Sequence, residues 1–566
     1  MITTKILDSL SRITPSECPE PQLSEFSLCK NEPFSFQLAY KITDESTKST
    51  RFFIKVISDL PINVYYMNYV PVMHTDYSTL SPMPIGMYHD VLMPKKIDAK
   101  LIEREAYRGV YKHYEEGERT MLSAFNDCWQ GLWFSLNEDG KELCAGDYEV
   151  KIELYDQFLN KLGEDSVSAC VIDKALPEQS LIYTNWFHYD CIADFYNKEI
   201  FSDEYLVIMR DFIRKASRNG MNMILTPFFT PPLDTMVGDE RMTAQLVKIK
   251  VTNGEYSFDF SLVKRFMDMC REDGIKYFEH SHLFTQWGAK HALKIMAEVD
   301  GEEKRIFGWE TEASGEDYIA FLRAYLTELK KFLKQEGLED KIFFHISDEP
   351  NENYYKNFEA VKSQIADLLE GYMVGDAVSH VEFFESGLVQ TPIALTRFAH
   401  KFVGKGDNIW AYYTGEEVDN GLSNRLIQMP RERNRILGVQ LYYHNIKGFL
   451  HWAYNFYYGE LSKGVFNPYM NPTTSFPNAG TSYMVYPAYD GTAHQSVRLK
   501  NFAEGLVDMR ALMLLESLEG REACEKLIYE YFGEVTFFTA PDAKALLSFR
   551  KAVNEKIKNA CTERKM

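Results

Sequence analysis

Two rhythms of apolar and polar residues divide this chain. Up to about residue 175, short apolar runs alternate with polar positions, and turn residues separate them. Stretches 51–57, 62–66, 130–136 and 146–154 read as half-buried strands of period two. Regular short strands with no helices between them predict a β-sandwich. From about residue 180 the rhythm becomes strand, then helix. Apolar strand patterns fall at 181–187, 223–229, 276–282, 342–347, 372–379, 392–396, 409–414 and 448–454. Helical patterns lie between them, clearest at 203–218, 260–273, 316–335, 353–370 and 425–445. Eight alternations over roughly 300 residues match a (β/α)8 barrel. From about 495 the pattern is helical. The expected organisation is therefore multidomain: an N-terminal β-sandwich (1–178), a central (β/α)8 TIM-type barrel (179–510) and a small, mainly helical C-terminal extension (511–566).

One strand ends unusually. The run Ile342-Phe343-Phe344-His345-Ile346-Ser347 is followed by Asp348-Glu349-Pro350. Proline cannot donate to a sheet ladder, so the strand stops there. Both carboxylates thus fall at the carboxyl end of a barrel strand, where such folds build their active sites. Neighbouring carboxylates repel, which raises one pKa and leaves the other group ionised. A proton donor beside a fixed negative charge suits cleavage of a glycosidic bond.

Composition narrows the partners. A formal charge of −20 over 566 residues argues against nucleic acid or an anionic membrane surface. Aromatics reach 14%, which suits stacking on sugar rings as well as filling cores. No stretch approaches the ~20 apolar residues of a membrane helix. The N-terminus lacks an apolar core of signal-peptide length, and the nine cysteines are scattered without C-x-x-C spacing. A cytoplasmic location is the expectation, with no disulfide framework and no cofactor. A homo-oligomer is left open.

The strand ends give a cleft of carboxylates, amides and aromatics: Asn185, Trp186, Glu279, His280, Asp376, Tyr412, Tyr413, Trp452 and Asn455 around Asp348 and Glu349. No phosphate loop is present, and the set fits a neutral polyhydroxylated ligand. His280 and His282, two apart on a strand, could share a metal. The first strand supplies only His188 to complete such a site, so a hydrogen-bonding role is preferred and no metal is assigned. Within the fourth strand, His345 reads as a satisfied core histidine.

Several stretches carry a family resemblance: Ser347-Asp348-Glu349-Pro350; Gly448-Phe449-Leu450-His451-Trp452-Ala453-Tyr454-Asn455 after a segment with Arg431, Arg433 and Gly438; Tyr489-Asp490-Gly491; and Ser496-Val497-Arg498 continuing to Gly505-Leu506-Val507-Asp508. Trp133 and Ala145-Gly146-Asp147-Tyr148 add to it in the β-rich part. Together they resemble glycoside hydrolase family 123 and the broader group of proteins sharing its catalytic domain. The resemblance implies a retaining β-N-acetylgalactosaminidase using substrate assistance, acting on an oligosaccharide or glycoconjugate. It implies that Glu349 is the acid/base and that Asp348 partners the substrate's 2-acetamido group. Trp452 is the expected platform under the −1 sugar, and Tyr413 the contact to the acetamido group. Two alternatives stay open. One is a conventional two-carboxylate glycosidase with Glu416 or Glu279 as nucleophile; the other is a non-catalytic glycan-binding protein.

Overall fold

A computed structural model of the chain describes residues 2–20, 23–44, 48–73, 85–94, 104–106, 109–111, 119–156, 158–350, 352–419, 421–473, 476 and 478–563. The N-terminal region is a sandwich of a seven-stranded and a five-stranded sheet. Between them lie Phe36, Leu38, Leu132 and Phe134 from one sheet and Phe52, Ile54, Val150 and Ile152 from the other. Phe36 and Phe134 stack with centroids 4.7 Å apart. Gly146–Asp156 alternates as a half-buried strand should, but Gln130–Leu136 is buried at every position. Its second face is covered too: Trp133 packs with Val497. The seven-stranded sheet also takes in Ala493–Ser496 and Val485–Pro487, far along the chain, through pairing of Ser496 with Val91.

Eight parallel strands close the barrel. In chain order they are β1 (Ile182–Asn185), β2 (Met223–Thr226), β3 (Tyr277–His280), β4 (Ile342–Phe344), β5 (Met373–Val378), β6 (Thr391–Leu395), β7 (Trp410–Tyr412) and β8 (Gly448–His451). Seven fall within the stretches expected from the pattern, and β6 begins one residue before its stretch. The interior is filled by Met223, Leu225, Phe343, Ala377, Ile393, Trp410, Tyr412 and Leu450. The outward residues pack against the helices, such as α1 (Asp203–Arg218) and α2 (Glu316–Glu336). α1 starts where Ser202 caps the Tyr205 N–H, and it carries acids in its first turn and bases in its last, matching the helix dipole.

Two expected helices differ. The 353–370 stretch breaks into Tyr355–Ser363 and Ala366–Leu369. The 425–445 stretch turns helical only after Pro430, as Arg431–Arg435 and Leu437–Tyr443. Arg425 sits in the preceding loop, its guanidinium donating to Asn185 Oδ1 and the Ala453 carbonyl. After β2 and β3, insertions form a separate four-stranded sheet.

The long helix α3 (Val497–Glu519) joins sandwich to barrel. It crosses Leu437–Tyr443 so closely that a Cβ on Gly438 would lie 1.7 Å from the Gly505 carbonyl oxygen. On the same helix Asp508 accepts from Arg435 Nε (2.7 Å) and Arg550 Nε (2.9 Å), while Arg550 also reaches Glu32 of the sandwich (2.7 Å). All four groups are buried. Asp508→Ala leaves two buried guanidiniums short of a partner and is expected to cost about 3–5 kcal/mol, read as a lower urea midpoint. An unchanged midpoint would mean that this cluster does not tie the units together. No helix among the described residues is long and apolar enough to cross a membrane.

Candidate active site

The site is built from the end of β4. Phe343 points into the barrel against Trp410, and His345 follows on the same side. Ladder pairing stops at Phe344, three residues before the strand pattern ends, because a side chain replaces the neighbouring strand as acceptor. Asp376 Oδ1 accepts the N–H groups of Ile346 (2.9 Å) and Ser347 (3.2 Å). From the other side, Leu283 and Phe284 N–H donate to the carbonyls of His345 and Ile346 (3.0 Å each). Ser347 Oγ donates to the Thr285 carbonyl (2.8 Å), and Trp287 N–H to that of Asp348 (2.9 Å). Glu349 then adopts a left-handed backbone with φ 43°, uncommon for a residue with a Cβ. That turn, held on both sides, presents both carboxyls at the barrel mouth.

They open into a cavity of about 600 Å³, with Trp186, Trp287, Tyr412, Trp452 and Phe476 among its walls. Six carboxylates line it, Asp234, Asp348, Glu349, Glu416, Glu417 and Glu460, and among the described lining residues there is no Lys or Arg. No described residue of the sandwich reaches it. Burial and the charge of Glu349 push Asp348 well above the usual carboxylate range, with His345 drawing it back. Burial raises Glu349 as well; the Tyr412 hydroxyl, donating to Glu349 Oε1 at 2.7 Å, opposes that rise. Ionisation of either carboxyl therefore disfavours that of the other.

Strand parity sorts the remaining expected residues. Trp186 and Trp452 line the cavity with Asp348 and Glu349. Glu279 points inward but lies below the floor, accepting from Trp186 Nε1 (3.1 Å) and from Thr184 Oγ1. Asp376 lies beneath the strand end, bound to backbone. The other four are not on the cavity. His280 faces out of the barrel, its Nε2 2.7 Å from the Tyr325 hydroxyl of α2 and its ring stacked on Phe228. His282 instead stacks on His345, so the two histidines diverge and cannot share a metal. Tyr413 packs outward against Phe449, and the residue before it, Tyr412, faces the site. Asn185 accepts from Arg425. Asn455 clamps the His188 backbone, accepting from its N–H (2.9 Å) and donating to its carbonyl (3.0 Å). His188 Nε2 in turn lies 3.0 Å from the Trp452 carbonyl, so Asn455 steadies the Trp452 wall indirectly. Among the described residues no group of three or more His, Cys, Asp or Glu could hold a metal.

Comparison with known proteins agrees with this architecture. A family model described as glycoside hydrolase 123, catalytic domain, matches residues 186–515. Among solved structures, a family 123 glycoside hydrolase from Clostridium perfringens, described for glycolipid glycan hydrolysis, superposes with a TM-score of 0.70 at 14% identity, covering 100% of this chain and 98% of that one. At that identity the likeness is one of fold. A β-glucuronidase from Parabacteroides merdae covers 80% of this chain and 47% of its own, at 10% identity and a TM-score of 0.26. No curated protein sequence matches the chain.

Proposed function

The chain belongs to glycoside hydrolase family 123, and on that premise we propose that it removes a terminal β-linked N-acetylhexosamine, GalNAc first among them, with retention and through an oxazolinium intermediate. The observation that carries this is the placement of Asp348 and Glu349 side by side on one turn at the barrel mouth. Adjacent acids approach a sugar from nearly one side. They are poorly placed as the opposed acid and nucleophile of an ordinary retaining enzyme, whose carboxyls stand about 5–5.5 Å apart across the bond. A nucleophile supplied by the substrate removes that difficulty. The acetamido oxygen attacks C1 while Glu349 gives its proton to the departing oxygen and the glycosidic bond breaks. Ionised Asp348 accepts the acetamido N–H and balances the growing positive charge. Glu349 then takes a proton from water, which attacks C1 and reopens the ring.

Glu279 as a covalent nucleophile is disfavoured by its burial under Trp186, whereas Glu416 lines the cavity and keeps the two-carboxylate alternative alive. The carboxylate-rich wall favours neutral sugars over sulfated or sialylated ones. The full-length likeness to an enzyme of glycolipid glycan hydrolysis supports a glycoconjugate glycan end as the substrate class. A panel of nitrophenyl glycosides tests the assignment. Hydrolysis of the β-GalNAc glycoside, and more slowly of β-GlcNAc, is expected. Turnover confined to sugars without an acetamido group would overturn it.

A further inference from the structure

Below the cavity floor lies a charged cluster that the proposed chemistry does not use directly. The His345 ring is 1% exposed and sits between two equally buried carboxylates. Its Nε2 lies 3.0 Å from Glu279 Oε1 on β3, and its Nδ1 3.8 Å from Asp376 Oδ1 on β5. The first is a hydrogen bond and the second an ion-pair approach. These carboxylates each do a second job. Glu279 holds the indole of Trp186, which lines the cavity, and Asp376 holds the backbone that leads into Asp348. His345 is thus the common centre of the floor and of the catalytic turn.

We propose that His345 is a positioning residue: clamped between Glu279 and Asp376, it carries a positive charge to the underside of Asp348 and so favours the carboxylate form of that residue during the reaction. The inference rests on the role given above to Asp348. A neutral ring would leave Glu279 and Asp376 as two buried anions without a counter-charge between them, a costly arrangement. Burial disfavours the charged ring, but the nearby charge of Asp376 and the hydrogen bond and charge of Glu279 outweigh it and lift the His345 pKa to about 9.

The other groups facing this cluster do not supply the charge. His282, stacked on His345 at 4.7 Å, is held neutral by burial, and neither of its ring nitrogens has a hydrogen-bond partner among the described residues. Trp186 meets His345 edge-on, and the Tyr412 hydroxyl is engaged with Glu349. Around Glu349 stand Glu416 and Glu417, both anionic when ionised. Lys362 acts on Asp376 from outside the barrel, and its amino group donates to the Leu388 carbonyl. His345 is therefore the group that opposes burial and Glu349 at Asp348.

His345→Gln tests this. Activity needs ionised Asp348, so it is lost as pH falls through the Asp348 pKa. Removing the charge raises that pKa and moves the acidic limb of kcat/KM upward. An opposite charge nearby shifts a carboxylate by about 1–3 units, so a move of about one unit or more is expected, with roughly tenfold less activity below the limb and partial recovery above it. KM should change much less than kcat. Should His345→Gln fail to fold, Glu279→Gln removes one carboxylate that holds the proton on the ring while leaving an amide to meet Trp186. A smaller shift in the same direction is expected. Activity lost with an unmoved limb in a folded variant would reduce His345 to a structural role. Failure of the parent chemistry looks different: a thiazoline analogue of the sugar would then leave the wild-type enzyme uninhibited.

Discussion

Glu349→Gln is expected to lower kcat on an unactivated glycoside by about 10²–10⁴-fold, the usual contribution of a general acid/base, while substrate still binds. The loss should depend on the leaving group. A nitrophenolate departs with little protonation, so the first step suffers less and the second step, which needs Glu349 as a base toward water, becomes limiting. External azide, which needs no base, should then restore turnover on the activated substrate. The pH profile carries a second signature. Glu349 must be protonated to act as acid, so activity falls as pH rises through its pKa. Burial raises that pKa, and the hydrogen bond from Tyr412 lowers it. Tyr412→Phe should therefore extend the alkaline limb to higher pH. Wild-type turnover of an unactivated glycoside by Glu349→Gln would remove the residue from the role.

The barrel was legible in the sequence because each strand announced itself by an apolar run with a turn or helix behind it. The sandwich was legible in its alternation, apart from Gln130–Leu136. That strand reads as half-buried because its second cover, Val497 at the start of α3, lies more than 350 positions along the chain. No local pattern records a contact at that separation. The two catalytic candidates were legible because proline and paired acids end an apolar strand. The surrounding choices were less so, and strand parity is the reason. Once Glu279 faces inward, its neighbour His280 must face out, and the same holds for Tyr412 against Tyr413. Placing both Glu279 and His280 on the cleft, and giving Tyr413 the acetamido contact, ignores that constraint. Counting outward from the apolar interior residues would have chosen Tyr412. His345 was correctly placed in the core, but its two carboxylate neighbours come from strands 66 and 31 residues away, separations that sequence spacing does not connect.

Substrate assistance makes a sharper prediction than loss of activity. If the acetamido group is the nucleophile, a thiazoline analogue of GalNAc mimics the cyclised intermediate and should inhibit competitively, about 10²-fold or more tighter than substrate binds. Asp348 is the group that would meet the ring nitrogen of that analogue. Asp348→Asn keeps the shape and removes the charge, so it should lose most of the inhibitor's advantage together with kcat, while the affinity for a sugar lacking the acetamido group changes little. Glu416→Gln separates the alternatives from the other side. Glu416 lines the same cavity, so a conventional enzyme could use it as the second carboxylate. Under substrate assistance its loss alters binding modestly and no covalent sugar ever accumulates. Under the alternative, a 2-fluoro glycoside labels Glu416, the variant is inactive, and the thiazoline has no effect. That outcome would leave the barrel and the family in place and transfer the nucleophile from the substrate to the protein.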